Sequence, residues 1–68
     1  MSAVDYNIYS YIAHTFTGEV LDLQVCKSNA GWYIGVPMVA RDSVEYYRSE
    51  YAARAALTAC SWTQRRNP

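Results

Sequence analysis

The stretch Ser49–Trp62, SEYAARAALTACSW, limits what this chain can fold into more than any other segment. On a helical wheel Glu50, Arg54, Thr58 and Ser61 form one narrow polar row. Ala52, Ala53, Ala55, Ala56, Ala59 and Cys60 cover the opposite side, with Leu57 at one border and Tyr51 and Trp62 at the other. Ser49 is placed to cap such a helix, and Glu50 in its first turn complements the dipole. The interior uses strong helix formers, so the pattern predicts a helix over about residues 50–62. A helix faced with alanine supplies little core volume. It can lie very close to a sheet whose larger side chains fill the space between.

The preceding residues read as that sheet. Residues 6–16, YNIYSYIAHTF, are rich in Tyr, Ile and Phe and predict a first strand. Alternation puts Ile8, Ser10, Ile12, His14 and Phe16 on one face, with Tyr9, Tyr11, Ala13 and Thr15 on the other. Thr17-Gly18-Glu19 reads as a tight turn. Residues 20–27 form a second strand with Leu21, Leu23 and Val25 on the core side, alternating with Asp22, Gln24 and Cys26. Ser28-Asn29-Ala30-Gly31 is a second turn. Residues 32–36 form a third strand, with Trp32, Ile34 and Val36 facing one way and Tyr33 and Gly35 the other. Pro37 belongs at a strand end, a bulge or an edge. Residues 37–43 fit either a continued strand or a loop turning at Arg41-Asp42-Ser43, and residues 44–47 form a short fourth strand. Residues 63–68 read as a polar tail. The expected fold is α+β: an antiparallel meander of three or four strands with one C-terminal Ala-rich helix on one face, in one small domain over 1–68.

At 68 residues a single core yields only a few kcal/mol of net stability, so completion by association is a reasonable expectation. A content of 51% hydrophobic residues argues against disorder. Formal net charge is zero but unevenly spread. Residues 1–26 carry Asp5, Glu19 and Asp22 and no Lys or Arg, a net −3. Residues 27–68 carry Lys27 and five arginines against Asp42, Glu45 and Glu50, a net +3. This split predicts internal pairing or complementary patches on two subunits, since polyanion binders carry a net excess of base. The opening MSAVDYNIYS lacks the basic start and apolar run of a signal peptide, and no window approaches the ~20 apolar residues of a membrane span. The expected location is cytoplasmic. Cys26 and Cys60 read as small packed thiols, with a mutual bridge as the alternative.

Ser10, His14, Cys26, Cys60, Asp22 and Asp42 are the parts from which a hydrolytic site would have to be built. A Cys26–His14 pair is possible on adjacent strands, but the spacing does not require it. One His and two separated Cys do not make a zinc site, and no phosphate-binding glycine pattern is present. The expectation is therefore a protein that is not an enzyme and uses no cofactor or metal. Seven tyrosines carry more information. If the helix covers the face holding Leu21, Leu23, Val25, Trp32 and Ile34, then Tyr9, Tyr11 and Tyr33 project from the other face. Tyr is favoured at interfaces because it offers broad, stiff apolar area with a polar tip. Tyr9, Tyr11, Tyr33, Arg41 and Arg48 are thus the candidate partner-binding residues of a small binding or inhibitory module, whose partner is another protein or a second copy of the chain.

The alternative is a weak single-stranded nucleic-acid binder that uses the same aromatics with Arg41 and Arg48. The GWYIGV segment is similar to an RNA-recognition signature without its leading basic residue and flanking elements. Three strands with an alanine helix resemble, in layout, plant AP2-type DNA-binding domains. Those domains read DNA with many strand arginines, whereas residues 6–36 hold only Lys27, and no residue is carried across.

Overall fold

Residues 4–66 are described by the computed structural model, in which Ser49 does cap a helix. In chain order the elements are α1 (Tyr11–Thr17), β1 (Gln24–Ser28), β2 (Gly31–Val36), β3 (Ala40–Arg41) and α2 (Glu50–Ala59). This is an α+β arrangement of three antiparallel strands and two helices. At the start of α2 the Ser49 hydroxyl accepts from the Ala52 amide at 3.1 Å. Its loss in Ser49→Ala should cost about 1 kcal/mol, read as a lower urea midpoint at unchanged slope. The Glu50–Arg54 pair at 2.9 Å is exposed at both ends and contributes little. The helix stops earlier than residue 62 because Cys60 adopts left-handed backbone at φ 54° and turns its N–H back to Ala56 and Leu57. Cys60 is therefore an exposed cap residue rather than a packed thiol, and both cysteines are free.

The sheet order is β1-β2-β3. Val25 lies opposite Ile34 and Cys26 opposite Tyr33, joined by the turn at Asn29-Ala30; Gly35 lies opposite Arg41. On one face Leu23, Ile34 and Ala56 form a buried cluster, with Tyr47, Leu57 and Trp62 packed against it. Of the alanines on α2 only Ala53 and Ala56 are buried, so the contact stripe is narrower than the wheel suggests. The bulk comes from the strands and from the large residues that flank the helix. Between β2 and β3 the chain turns at Pro37-Met38-Val39, where Met38 is fully exposed at φ 62°.

The expected first strand over 6–16 is corrected. Only Tyr9 pairs, in an isolated antiparallel bridge with Asp22, and residues 11–17 are helical. The reason lies in the end signals and in a distant partner. Ser10 is the N-cap, its hydroxyl accepting from the Ala13 amide at 2.9 Å. Gly18 closes the other end at φ 75°, its N–H reaching the His14 carbonyl. The Asp42 carboxylate then takes the Ser10 hydroxyl at 2.5 Å and the Ile12 amide at 3.1 Å. An acidic group so placed satisfies a first-turn donor and suits the positive end of the helix. Ser10, Asp42 and Ser43 are all fully buried.

The expected second strand begins at Gln24 rather than at residue 20, and the fourth strand over 44–47 is reduced to one bridge. There Trp32 and Tyr47 exchange amide-to-carbonyl bonds of 2.9 and 2.7 Å. Pairing does not extend upstream because the Ser43 hydroxyl, receiving the Ile34 amide, donates to the Glu45 carbonyl and bends the chain away. The polar tail expected over 63–68 is tied down through residue 65, whereas Asn67 and Pro68 lie outside the described residues. Ser43 bridges Gln64, the Val44 amide donates to the Thr63 carbonyl, and the Arg65 amide donates to the Asp42 carbonyl at 2.6 Å. The Gln64 side-chain amide reaches Asp42 Oδ2 at 2.8 Å.

Glu45 fastens the same strap, accepting from the Thr63 amide at 2.9 Å and its hydroxyl at 2.6 Å. Partial burial works against its charge, but these bonds outweigh it and hold the carboxyl below the usual value of 4.5. With the folded pKa depressed, this stabilisation is present above about pH 4.5 and is lost as pH falls through the folded value. Acid denaturation of Glu45→Gln should therefore be shallower than that of the parent below about pH 4.5, with equal slopes counting against the contact. Among the described residues no helix is long and apolar enough to cross a membrane.

Candidate functional site

The sheet face turned away from α2 carries an aromatic group built by β2, β3 and the link to α2. Tyr33 leaves β2 on the side opposite Ile34, as strand alternation requires. The Tyr46 ring meets it edge-on, with centroids 6.2 Å apart. The Arg41 guanidinium lies 4.7 Å from the Tyr46 ring centre, a cation–π distance. Arg41 is held there by hydrogen bonds from Nη1 to the carbonyls of Ser43 at 2.7 Å and Val44 at 3.3 Å. The guanidinium is thus held before any partner arrives, so little of its side-chain entropy is left to lose on binding. Gly35 makes this possible. A Cβ there would meet the Ala40 carbonyl oxygen, so only glycine lets β3 come close enough for Arg41 to stand where it does.

Beneath Tyr33 lies Cys26, buried on the same face of β1. Burial pushes the Cys26 thiol up, and its contact with the Tyr33 hydroxyl only partly offsets this. Tyr33 is raised as well, by its own burial and then by Cys26. Both groups are therefore neutral near pH 7, and Cys26 is a poor thiolate nucleophile. The possible partner base, His14, is engaged elsewhere, with its Nδ1 at 2.8 Å from the Tyr6 hydroxyl. Among the described residues no three His, Cys, Asp or Glu side chains come together to hold a metal ion.

The five residues singled out from the sequence do not share one surface. Tyr33 and Arg41 come together, and Tyr46, which had not been singled out, joins them. Its signal was available: in an extended segment Tyr47 packs toward the core, so Tyr46 points to the opposite side. Tyr9 sits in the bridge to Asp22, and Arg48 is exposed in the link before α2. Tyr11 opens α1 and belongs to a second aromatic group. Its ring meets Tyr6 edge-on at 5.1 Å, and the Arg66 guanidinium lies 5.6 Å from its centre. Comparison with known proteins adds nothing to this geometry: no family model, no curated protein and no solved structure matches the chain.

Proposed function

We propose that this protein is a small non-enzymatic binding module that engages a protein partner through Tyr33, Tyr46 and Arg41, and that a second copy of the chain is its simplest partner. The observation that carries the reading is the Tyr33–Tyr46–Arg41 group, in which backbone acceptors hold Arg41 against Tyr46 on the face away from α2. Tyr46 remains 44% exposed, and so do Val39 and Val44 on either side of β3, at 46% and 52%. Tyrosine and arginine are the residue types that most often dominate binding energy in protein interfaces. A chain of 68 residues has a small core of its own and gains stability by association, which makes a second copy the simplest partner. Neutral Cys26, engaged His14 and hydrogen-bonded Asp42 support a role without catalysis. A cytoplasmic setting is part of the same proposal, supported by the sparse, unbridged cysteines.

Sedimentation of the chain over a wide concentration range tests this reading. The expected result is a rise in mass from 7.7 kDa toward twice that value, abolished in a folded Tyr33→Ser/Tyr46→Ser variant. A monomer at every concentration, whose co-purifying proteins stay bound to that variant, would defeat it. Binding to single-stranded oligonucleotides that weakens steeply with salt would favour nucleic acid as the partner instead.

A further inference from the structure

The second aromatic group encloses a half-open cavity of about 190 Å³, lined by Tyr6, Asn7, Tyr11, Trp62, Gln64 and Arg66. Three features of its lining point to one ligand chemistry. First, Tyr6, Tyr11 and Trp62 offer flat apolar walls, with Tyr6 and Tyr11 set at 90° to each other. The space holds one flat ring system, and the open side leaves room for the substituents that the ring carries. Second, the only charged lining residue is Arg66, and among the described residues it forms no ion pair. Asp42, which accepts from the lining residue Gln64, is itself taken up by Ser10 and Ile12. Third, two lining residues each bring a buried polar atom with no hydrogen-bond partner, the indole N–H of Trp62 and the carboxamide oxygen of Gln64. One is a donor and the other an acceptor. Leaving such atoms unpaired is costly, and each calls for an explanation. Both are closed off from the solvent, so pairing either involves a small movement of its own side chain.

We infer that this cavity binds a flat heterocycle that carries both a hydrogen-bond donor and an acceptor on its edge and an anionic substituent, the chemistry of a nucleoside monophosphate. The ring lies against Tyr11 and Trp62, its edge pairs with the Trp62 indole N–H and the Gln64 carbonyl oxygen, and its phosphate meets Arg66. Such a site is separate from Tyr33, Tyr46 and Arg41, so it stands or falls independently of the proposed protein interface.

The test is a titration of the intact, uniformly nitrogen-15-labelled chain with adenosine 5′-monophosphate, followed by two-dimensional amide spectra. The expected result is saturable movement of signals from residues 6–7, 11 and 62–66, with the Trp62 indole proton shifting downfield as it gains an acceptor. Half-saturation should fall on the order of 1 mM or below. Arg66→Gln, which leaves the walls intact, should weaken binding about tenfold while keeping a folded spectrum. Adenosine without the phosphate should weaken by a similar factor. No saturable movement, equal movement with inorganic phosphate alone, or movement confined to Tyr33 and Tyr46 would each overturn the assignment.

Discussion

Asp42→Ala should remove a large part of this protein's stability, on the order of 2–6 kcal/mol. The carboxylate is 0% exposed and accepts from three separate parts of the chain: the Ser10 hydroxyl, the Ile12 amide and the Gln64 side-chain amide. Its own backbone adds bonds to Ile34 and from Arg65, which place the carboxylate between α1, β2 and the C-terminal strap. Alanine would leave two buried donors, the Ser10 hydroxyl and the Ile12 amide, facing a hole, while the partly buried Gln64 amide keeps its bond to the Arg65 carbonyl. Unsatisfied buried donors cost about 1–3 kcal/mol each, so two of them account for about 2–6 kcal/mol. A chain of this size has roughly 3–10 kcal/mol to lose. Asp42→Asn keeps one acceptor but turns an amide toward the Gln64 amide, so an intermediate loss of about 2 kcal/mol is expected. The measurement is urea unfolding followed by circular dichroism, with Asp22→Asn at an exposed position as control. A midpoint for Asp42→Ala close to that of the control would show that the network is not what holds α1 down.

The second large effect is expected from Gly35→Ala, a change of one methyl group. An ideal Cβ at Gly35 would sit 2.2 Å from the Ala40 carbonyl oxygen and 3.0 Å from the Arg41 Cα, both backbone atoms. No flexible side chain can swing aside to relieve this, so β3 must move away from β2. The expected cost is about 2–3 kcal/mol or more, at the upper end for overpacking. The functional loss should be larger than the stability loss suggests. Arg41 is the residue directly opposite Gly35, and its displacement takes the guanidinium off Tyr46. In stabilising buffer the variant should stay folded yet lose self-association as fully as Tyr33→Ser/Tyr46→Ser. A folded Gly35→Ala that associates normally would detach Arg41 from the proposed interface.

These two positions also show where the sequence was legible. The capping serine at 49 and the turn at residues 28–31 are local signals, and both stand where the spacing puts them. The alternation over 32–36 correctly put Tyr33 on the face opposite Ile34. The segment YIAHTF defeated the same logic, because its composition suits a strand while its conformation is decided from residue 42. Ser10 and Gly18, eight positions apart, were the local hints of a two-turn helix. For the candidate site, Arg41 and Tyr33 were among the five residues read from the sequence, whereas Tyr46 follows only when alternation is carried through residues 46–47, with Tyr47 on the core side. The cavity joins residues 6–11 to residues 62–66. No periodicity connects segments so far apart in the chain.

The same long reach governs how the protein comes into being on a ribosome. Residues 11–17 are translated before the carboxylate that secures their first turn, which is made about thirty residues afterwards, and the amide that reaches that carboxylate is made later still. Until residue 42 is made, residues 11–17 lack the acceptor for their first turn, and until residue 64 is made that acceptor lacks one of its donors. The first turn of α1 is thus completed by segments made after it, not by its local sequence alone.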